Sequence, residues 1–172
     1  MARPRGMSHV ALCARDFDRS LHFYRDLLGF KVSQEGTNVE GRGEDAGIYR
    51  VKNRKIKFAT LRYGRTRKGP YGMTEDAPIV VIIAPEGKPP TGRSIKVDQV
   101  GISHMGFWVK GLNAMYRDLK AKGVKFAAAP HVLAKTEEGT IRSAFAEDPD
   151  GILIQLDEMI PAKKAAPKPK AA

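Results

Sequence analysis

The chain has one cysteine, one tryptophan and no long hydrophobic run. A single thiol, Cys13, excludes an internal disulfide, and a cysteine-poor sequence is typical of a reducing compartment, so we expect a cytoplasmic protein. Without a run of about eighteen apolar residues, no membrane span is predicted. The first residues, "MARPRGMSHV", lack the apolar core of a secretion signal.

Acidic residues are scarce relative to basic ones, and the formal net charge is +11. The last segment, 161–172, carries lysine, alanine and proline without an acid, and this composition predicts a disordered basic tail. Segment 50–68 contains nine basic residues and no acid. It fits either a solvated hairpin with lysine-protected edges or a rim that attracts a phosphorylated or carboxylated ligand. Aromatic residues do not alternate with these charges, which argues against specific nucleic-acid binding.

Two stretches of the chain begin alike, "MSHVALCARD" (7–16) and "ISHMGFWVKG" (102–111). Each resembles a strand that leads into an amphipathic helix, and a glycine is placed to end each helix, at Gly29 and Gly123. Three strand-like runs follow each helix, so the order strand–helix–strand–strand–strand occurs twice. We therefore predict an α+β protein built from two βαβββ modules.

The boundaries of these modules follow from composition. The predicted first module spans 1–85 and the second 99–160. Between them, "EGKPPTGRSIKVD" (86–98) is rich in proline, glycine and charge, which is typical of a linker.

The stretches "SHVALCARDFDRSLHFYRDLLGFKV" and "EDPDGILIQLDE" resemble the vicinal oxygen chelate superfamily. Glyoxalase I, methylmalonyl-CoA epimerase, extradiol dioxygenases and bleomycin-resistance binding proteins belong to it. The resemblance covers about residues 7–158 and implies a glyoxalase-like fold, in which paired modules form a cupped, partly open barrel. Many members pair modules between chains, so the resemblance also allows a homodimer.

A divalent metal ion inside the cup is a further implication of the resemblance. The ligands would come from the first strand of each module, at His9 and His104, and from the last strands. There, Gln155 replaces the usual glutamate, and Val81 has no donor atom. Two imidazoles and an amide oxygen suit Fe, Ni, Co, Mn or Zn, and the sequence does not choose among them. Asp157, two residues on, could assist. The alternative is that both histidines are ordinary polar residues at strand starts.

Glyoxalase-type and epimerase-type members resemble this chain in length, and the resemblance implies their chemistry: proton abstraction next to a carbonyl, with a metal-stabilised enediolate and a carboxylate base near the metal. Because this chain lacks that carboxylate, His131 is the candidate base, unless it is an exposed edge or loop histidine. We expect a lyase or isomerase acting on a small, oxygen-rich, anionic substrate. Two alternatives stay open: an extradiol-type iron dioxygenase, whose local pattern is altered here, and a metal-free, ligand-sequestering protein.

Three residues are candidate substrate contacts. Arg62 could clamp an anion bidentately or belong to a solvated face. Trp108 shares strand parity with His104 and could line a pocket or fill the core. Phe145 stands where the dioxygenase pattern has tyrosine. By the same parity Cys13 faces the side of His9, and we expect it to be buried as a small hydrophobe.

Overall fold

The structure is a computed structural model that describes residues 7–48, 50, 52–63 and 79–162. The chain divides into two compact units, Met1–Arg93 and Ser94–Ala172. The predicted disordered tail falls almost wholly outside the described residues, as does part of the basic segment 50–68. The predicted bounds of the modules, linker and tail stay predictions.

Each unit contains one four-stranded sheet in its described part. The first unit consists of β1 (His9–Cys13), α1 (Phe17–Leu21), a π-helical turn (His22–Leu27), β2 (Lys31–Glu40), a 3-10 helix (Gly43–Ile48), β3 (Arg54–Arg62) and β4 (Ile79–Pro85). The second consists of β5 (His104–Trp108), α2 (Leu112–Ala121), β6 (Lys125–Lys135), β7 (Gly139–Glu147) and β8 (Leu153–Pro161).

The two sheets have the same topology. Their strand orders are β1-β4-β3-β2 and β5-β8-β7-β6. In each, the first strand runs parallel to the last, and the other neighbours are antiparallel. The prediction of an α+β protein with two βαβββ modules is therefore confirmed. Among the described residues no helix is long and apolar enough to cross a membrane.

Helix α1 begins at Phe17, directly after an N-cap at Asp16. The Asp16 carboxylate accepts a hydrogen bond from the backbone N–H of Arg19 over 3.1 Å, which caps the first turn. After Leu21 the helix widens into a π-helical turn, which the sequence did not predict. Phe23 and Tyr24 are consecutive, yet both are buried, with ring centroids 5.1 Å apart. The wider turn lets two adjacent aromatic residues reach the core.

Side chains alternate between the two faces of each sheet. One face is buried; its members in the first unit are Leu12, Ala59, Leu61, Val80 and Ile82, and in the second Met105, Phe107, Ala144, Ile154 and Leu156. The opposite face begins with His9 in one unit and His104 in the other. Cys13 lies on that opposite face and is exposed, so the expectation that it is buried was wrong.

Candidate functional site

Each first-strand histidine is engaged by the serine that precedes it. Ser8 Oγ lies 2.9 Å from His9 Nδ1, and Ser103 Oγ lies 2.9 Å from His104 Nδ1. Both imidazoles are exposed. Because the serine occupies Nδ1, the Nε2 atom of each ring is the one left for a ligand, and metal-binding histidines are commonly oriented through their other nitrogen in this way.

The last strands place Val81 and Gln155 at equivalent positions. Val81 pairs with Ala11, two residues after His9. Gln155 pairs with Gly106, two residues after His104. The duplicated register therefore offers one donor side chain beside His104 and none at the matching position beside His9.

A hydrogen-bond network fixes the side chain of Gln155. Its Nε2 donates to Asp157 Oδ1 over 2.9 Å and to Oδ2 over 3.1 Å. The fully buried Ser143 hydroxyl also donates to Oδ1. Because an ionised carboxylate only accepts, the amide nitrogen must face Asp157, and Gln155 Oε1 is left to accept a hydrogen bond or bind a cation.

Phe145 lies between two histidine rings. It meets His104 edge-on with centroids 5.9 Å apart, and His131 stacks on it at 6.4 Å with an interplanar angle of 18°. His131 is exposed on the edge strand β6, and its Nδ1 lies 2.9 Å from the carbonyl oxygen of Ala129. Since that oxygen accepts only, Nδ1 carries the proton, and Nε2 of the neutral ring is free to accept one.

Five sequence-predicted residues lie on one face of the second sheet by strand alternation and register: His104, Trp108, His131, Phe145 and Gln155. Trp108 is 68% exposed, so its alternative role as a core residue was wrong. His9 and Arg62 belong to the first unit. Arg62 is half-buried, and its Nε is buried without a hydrogen-bond partner in the described part of the chain.

Sequence reasoning missed the three serines that orient this site. Ser8 and Ser103 carried a signal, since a Ser-His pair opens both repeats. Ser143 is two residues before Phe145 on β7, and strand parity alone would place it on the same face. Nothing in the sequence pattern marks it as the partner of Asp157.

A sequence model of the Glyoxalase/Bleomycin resistance protein/Dioxygenase superfamily matches residues 6–156. The chain belongs to this superfamily. The resemblance predicted from the two repeats is thus confirmed.

The individual relatives of this chain have low sequence identity to it. The lactoylglutathione lyase of Schizosaccharomyces pombe is 25% identical over 178 aligned positions, which cover 96% of this chain and 49% of that protein. The chain therefore spans about half the length of this curated relative.

Solved structures support the fold. A glyoxalase family protein from Bacillus cereus superimposes with a TM-score of 0.70 at 17% identity, covering 92% of this chain and 97% of that chain. Glyoxalase I from Zea mays gives a TM-score of 0.59 at 22% identity, covering 90% of this chain and 47% of that chain.

Members of the superfamily typically bind a divalent metal, so the side chains of this chain can be examined for donors that fit one. In the described ranges, no group of three or more His, Cys, Asp or Glu side chains is placed to hold a metal. The donor types nevertheless fit, because imidazole Nε2 and amide Oε1 atoms are accepted by Fe, Ni, Co, Mn or Zn. The set His9, His104 and Gln155 is neutral, unlike one that contains a carboxylate.

Proposed function

We propose that this chain is a divalent-metal-dependent enzyme that moves a proton on a small, oxygen-rich, anionic substrate, in lyase or isomerase chemistry. The observation that carries the proposal is the shared face of the second sheet. There Phe145 contacts both His104 and His131, and Gln155 is held by Asp157.

The metal would be held by His9 Nε2, His104 Nε2 and Gln155 Oε1. When bound, the cation supplies Lewis-acid polarisation of substrate oxygens, and a neutral ligand set leaves its full +2 charge for that purpose. Ser8 and Ser103 orient the two imidazoles through Nδ1.

His131 is the proposed proton acceptor. Its Nδ1–H is engaged by Ala129, so Nε2 has the lone pair that a general base needs. Stacking on Phe145 orients the plane of the imidazole. The exposed Trp108 on the same face offers an apolar contact to the substrate. The guanidinium of Arg62, in the first unit, is the proposed donor to an anionic group of the substrate.

The name of the S. pombe relative supports lactoylglutathione as the first substrate to assay. The full chain, loaded in turn with Ni, Co, Zn, Mn or Fe, is assayed for lactoylglutathione turnover. His131→Gln is expected to lower kcat by about 10²–10⁴-fold, the range for a lost general base, while the metal content is unchanged. His22→Gln, a surface histidine of the π-helical turn, is the control and should keep wild-type kcat. Equal kcat in both variants would contradict the role of His131.

A metal-free, ligand-sequestering function is the second candidate. The valine at the position equivalent to Gln155 favours it, because Val81 cannot bind a cation. A chain that binds a small ligand without metal and converts none would support this function.

Extradiol-type dioxygenation, a homodimer and a cytoplasmic location remain predictions of the sequence. Oxygen consumption with a catechol and Fe(II) tests the dioxygenation, and the mass of the protein in solution tests the homodimer.

A further inference from the structure

The first sheet has a pocket of about 250 Å³ beside its outer strand β2, lined by Phe17, Glu35, Gly36, Thr37 and Lys57. Glu35 pairs with the buried Ala59, and Thr37 pairs with Lys57, so these side chains project from the face that α1 covers. Phe17, the first residue of α1, forms the side of the pocket toward the helix. The pocket therefore lies on the opposite face of the sheet from the first-strand histidine of this unit.

Lys57 gives the pocket a positive charge. Its ammonium lies over the Phe17 ring, 5.6 Å from the ring centroid, and the attraction between cation and ring holds it there. The ion pairs among the described residues do not include Lys57. Because the contact with the ring uses no carboxylate, the charge of this ammonium is left for a ligand.

The position equivalent to Lys57 in the second unit is already satisfied. Lys57 and Arg142 are equivalent, because each stands three residues before the register partner of Val81 or Gln155. Arg142 donates from Nη2 to Asn113 Oδ1 over 3.1 Å, at the first turn of α2. The helix of the second unit thus supplies an acceptor for the cation, whereas the helix of the first unit supplies an aromatic ring.

The neighbouring strand differs between the units in the same sense. On β8 the residue opposite Arg142 is Glu158, which is acidic. On β4 the residue opposite Lys57 is Ala84, which has no charge. Cross-strand pairs of opposite charge stabilise a sheet, and this pair is missing at Lys57. The two copies of the module have diverged so that only the first one leaves its cation beside an open pocket.

Glu35 supplies a negative charge to the same pocket. It stands diagonally across from Lys57, at about 7–8 Å between Cα atoms for such a pair. The described ion pairs do not include Glu35 either. Thr37 adds a hydroxyl that can donate and accept, where the second unit has Val132 opposite its cation. A cation and an anion that are close but not paired match a ligand that carries both charges.

We propose that this pocket binds a small zwitterion, such as a free α-amino acid, whose carboxylate contacts Lys57 and whose ammonium contacts Glu35. The volume is below that of sites for drug-sized ligands, which limits the ligand to a small one. Both side chains are exposed, so water screens each contact and we expect millimolar affinity. The inference goes beyond the proposed function, because it uses none of the residues to which that function assigns a role.

The test is an NMR titration of the ¹⁵N-labelled 172-residue chain with L-alanine, followed at the backbone amides of Gly36 and Thr37. We expect both signals to shift saturably. Propionate lacks the ammonium and L-alaninamide lacks the carboxylate, so each should bind about three- to tenfold more weakly. Equal binding of either analogue, or the absence of a saturable shift, would overturn the proposal.

Variants connect each ligand charge to one side chain. In Lys57→Gln, alanine and alaninamide should bind equally well, and in Glu35→Gln, alanine and propionate should do so. Lys55→Gln removes a charge from the same face of β3, two residues outside the pocket, and should keep both preferences. His9→Ala/His104→Ala should also keep them, which separates this pocket from the proposed metal site.

Matching melting curves establish that each of these variants is folded. A preference for alanine over alaninamide that survives in Lys57→Gln would overturn the proposal. So would a preference for alanine over propionate that survives in Glu35→Gln, or the loss of alanine binding in the histidine variant.

Discussion

The side-chain amide of Gln155 donates to both carboxylate oxygens of Asp157, and this contact decides which atom of the amide is left for a ligand. If the amide is a metal ligand, Asp157 is the residue that positions it. Partners of this kind affect metal affinity strongly even though they do not touch the ion.

Asp157→Asn is therefore expected to weaken metal binding by about 10–100-fold, the usual effect of losing such a partner. The change also removes a charged acceptor from Ser143 and Gln155, so the free energy of unfolding should fall by about 1–3 kcal/mol. Metal titration and urea unfolding measure the two effects. Asp118→Asn, on the exposed surface of α2, is the control that should leave metal affinity unchanged.

Gln155→Glu should act in the opposite direction on the metal. A carboxylate at this position adds negative charge to a neutral ligand set, so we expect at least tenfold tighter binding of a divalent ion. Without metal, the new carboxylate faces Asp157, and the two like charges should lower the melting temperature at pH 7. Weaker metal binding in this variant would place the ligand site away from Gln155.

The carboxyl of Asp26, which lies outside the proposed site, should make the stability of the protein depend on pH. The hydrogen bond from the Arg25 guanidinium, and then that from His22, holds the pKa of this carboxyl well below its usual range. A depressed folded-state pKa gives stabilisation that is present above the ordinary value of about 4 and is lost as the pH falls through the folded value. Asp26→Asn should thus lower the melting temperature at pH 7, and the difference should shrink below about pH 4.

The control for this prediction is Asp26→Asn in an Arg25→Gln background. Removing the guanidinium removes the largest cause of the pKa shift. The asparagine substitution should then cost less at pH 7 than it does in the wild-type background. An unchanged cost would mean that the Arg25 contact does not stabilise the fold.

Gly29 ends the first helical segment with φ of +77°, a conformation that strains any residue with a Cβ. Gly29→Ala should lower the free energy of unfolding by about 1–2 kcal/mol, although nothing lies within 4 Å of an added Cβ. Gly47→Ala is the matched control, because this glycine has open space and no positive φ. Equal costs in urea unfolding would show that the backbone conformation is not the cause.

The sequence was sufficient for the duplicated topology because strand and helix periodicity, the helix-ending glycines and the two Ser-His openings repeat along the chain. Parity within a strand also placed Trp108 with His104, and Asp157 with Gln155, on a common face. These features are local, so the order of neighbouring residues in the chain is enough to predict them.

Features that depend on contacts between distant segments were not predictable. The π-helical turn goes together with the burial of both Phe23 and Tyr24, which depends on the core that they pack against. The pairing of Ser143 with Asp157 requires the β7–β8 register, and the stacking of His131 on Phe145 requires a bulged β6–β7 register. Exposure of Cys13 depends on which sheet face the helix covers, and the strand pattern by itself does not tell the two faces apart.

The most direct test of this account is the metal content of the purified 172-residue chain, compared with that of His9→Ala and His104→Ala. The account predicts about one Fe, Ni, Co, Mn or Zn ion per chain, loss of the ion in either variant, and its retention in His22→Ala. A chain with no bound metal, whose melting temperature does not rise when any of these ions is added, would contradict the account and leave the ligand-sequestering function in its place.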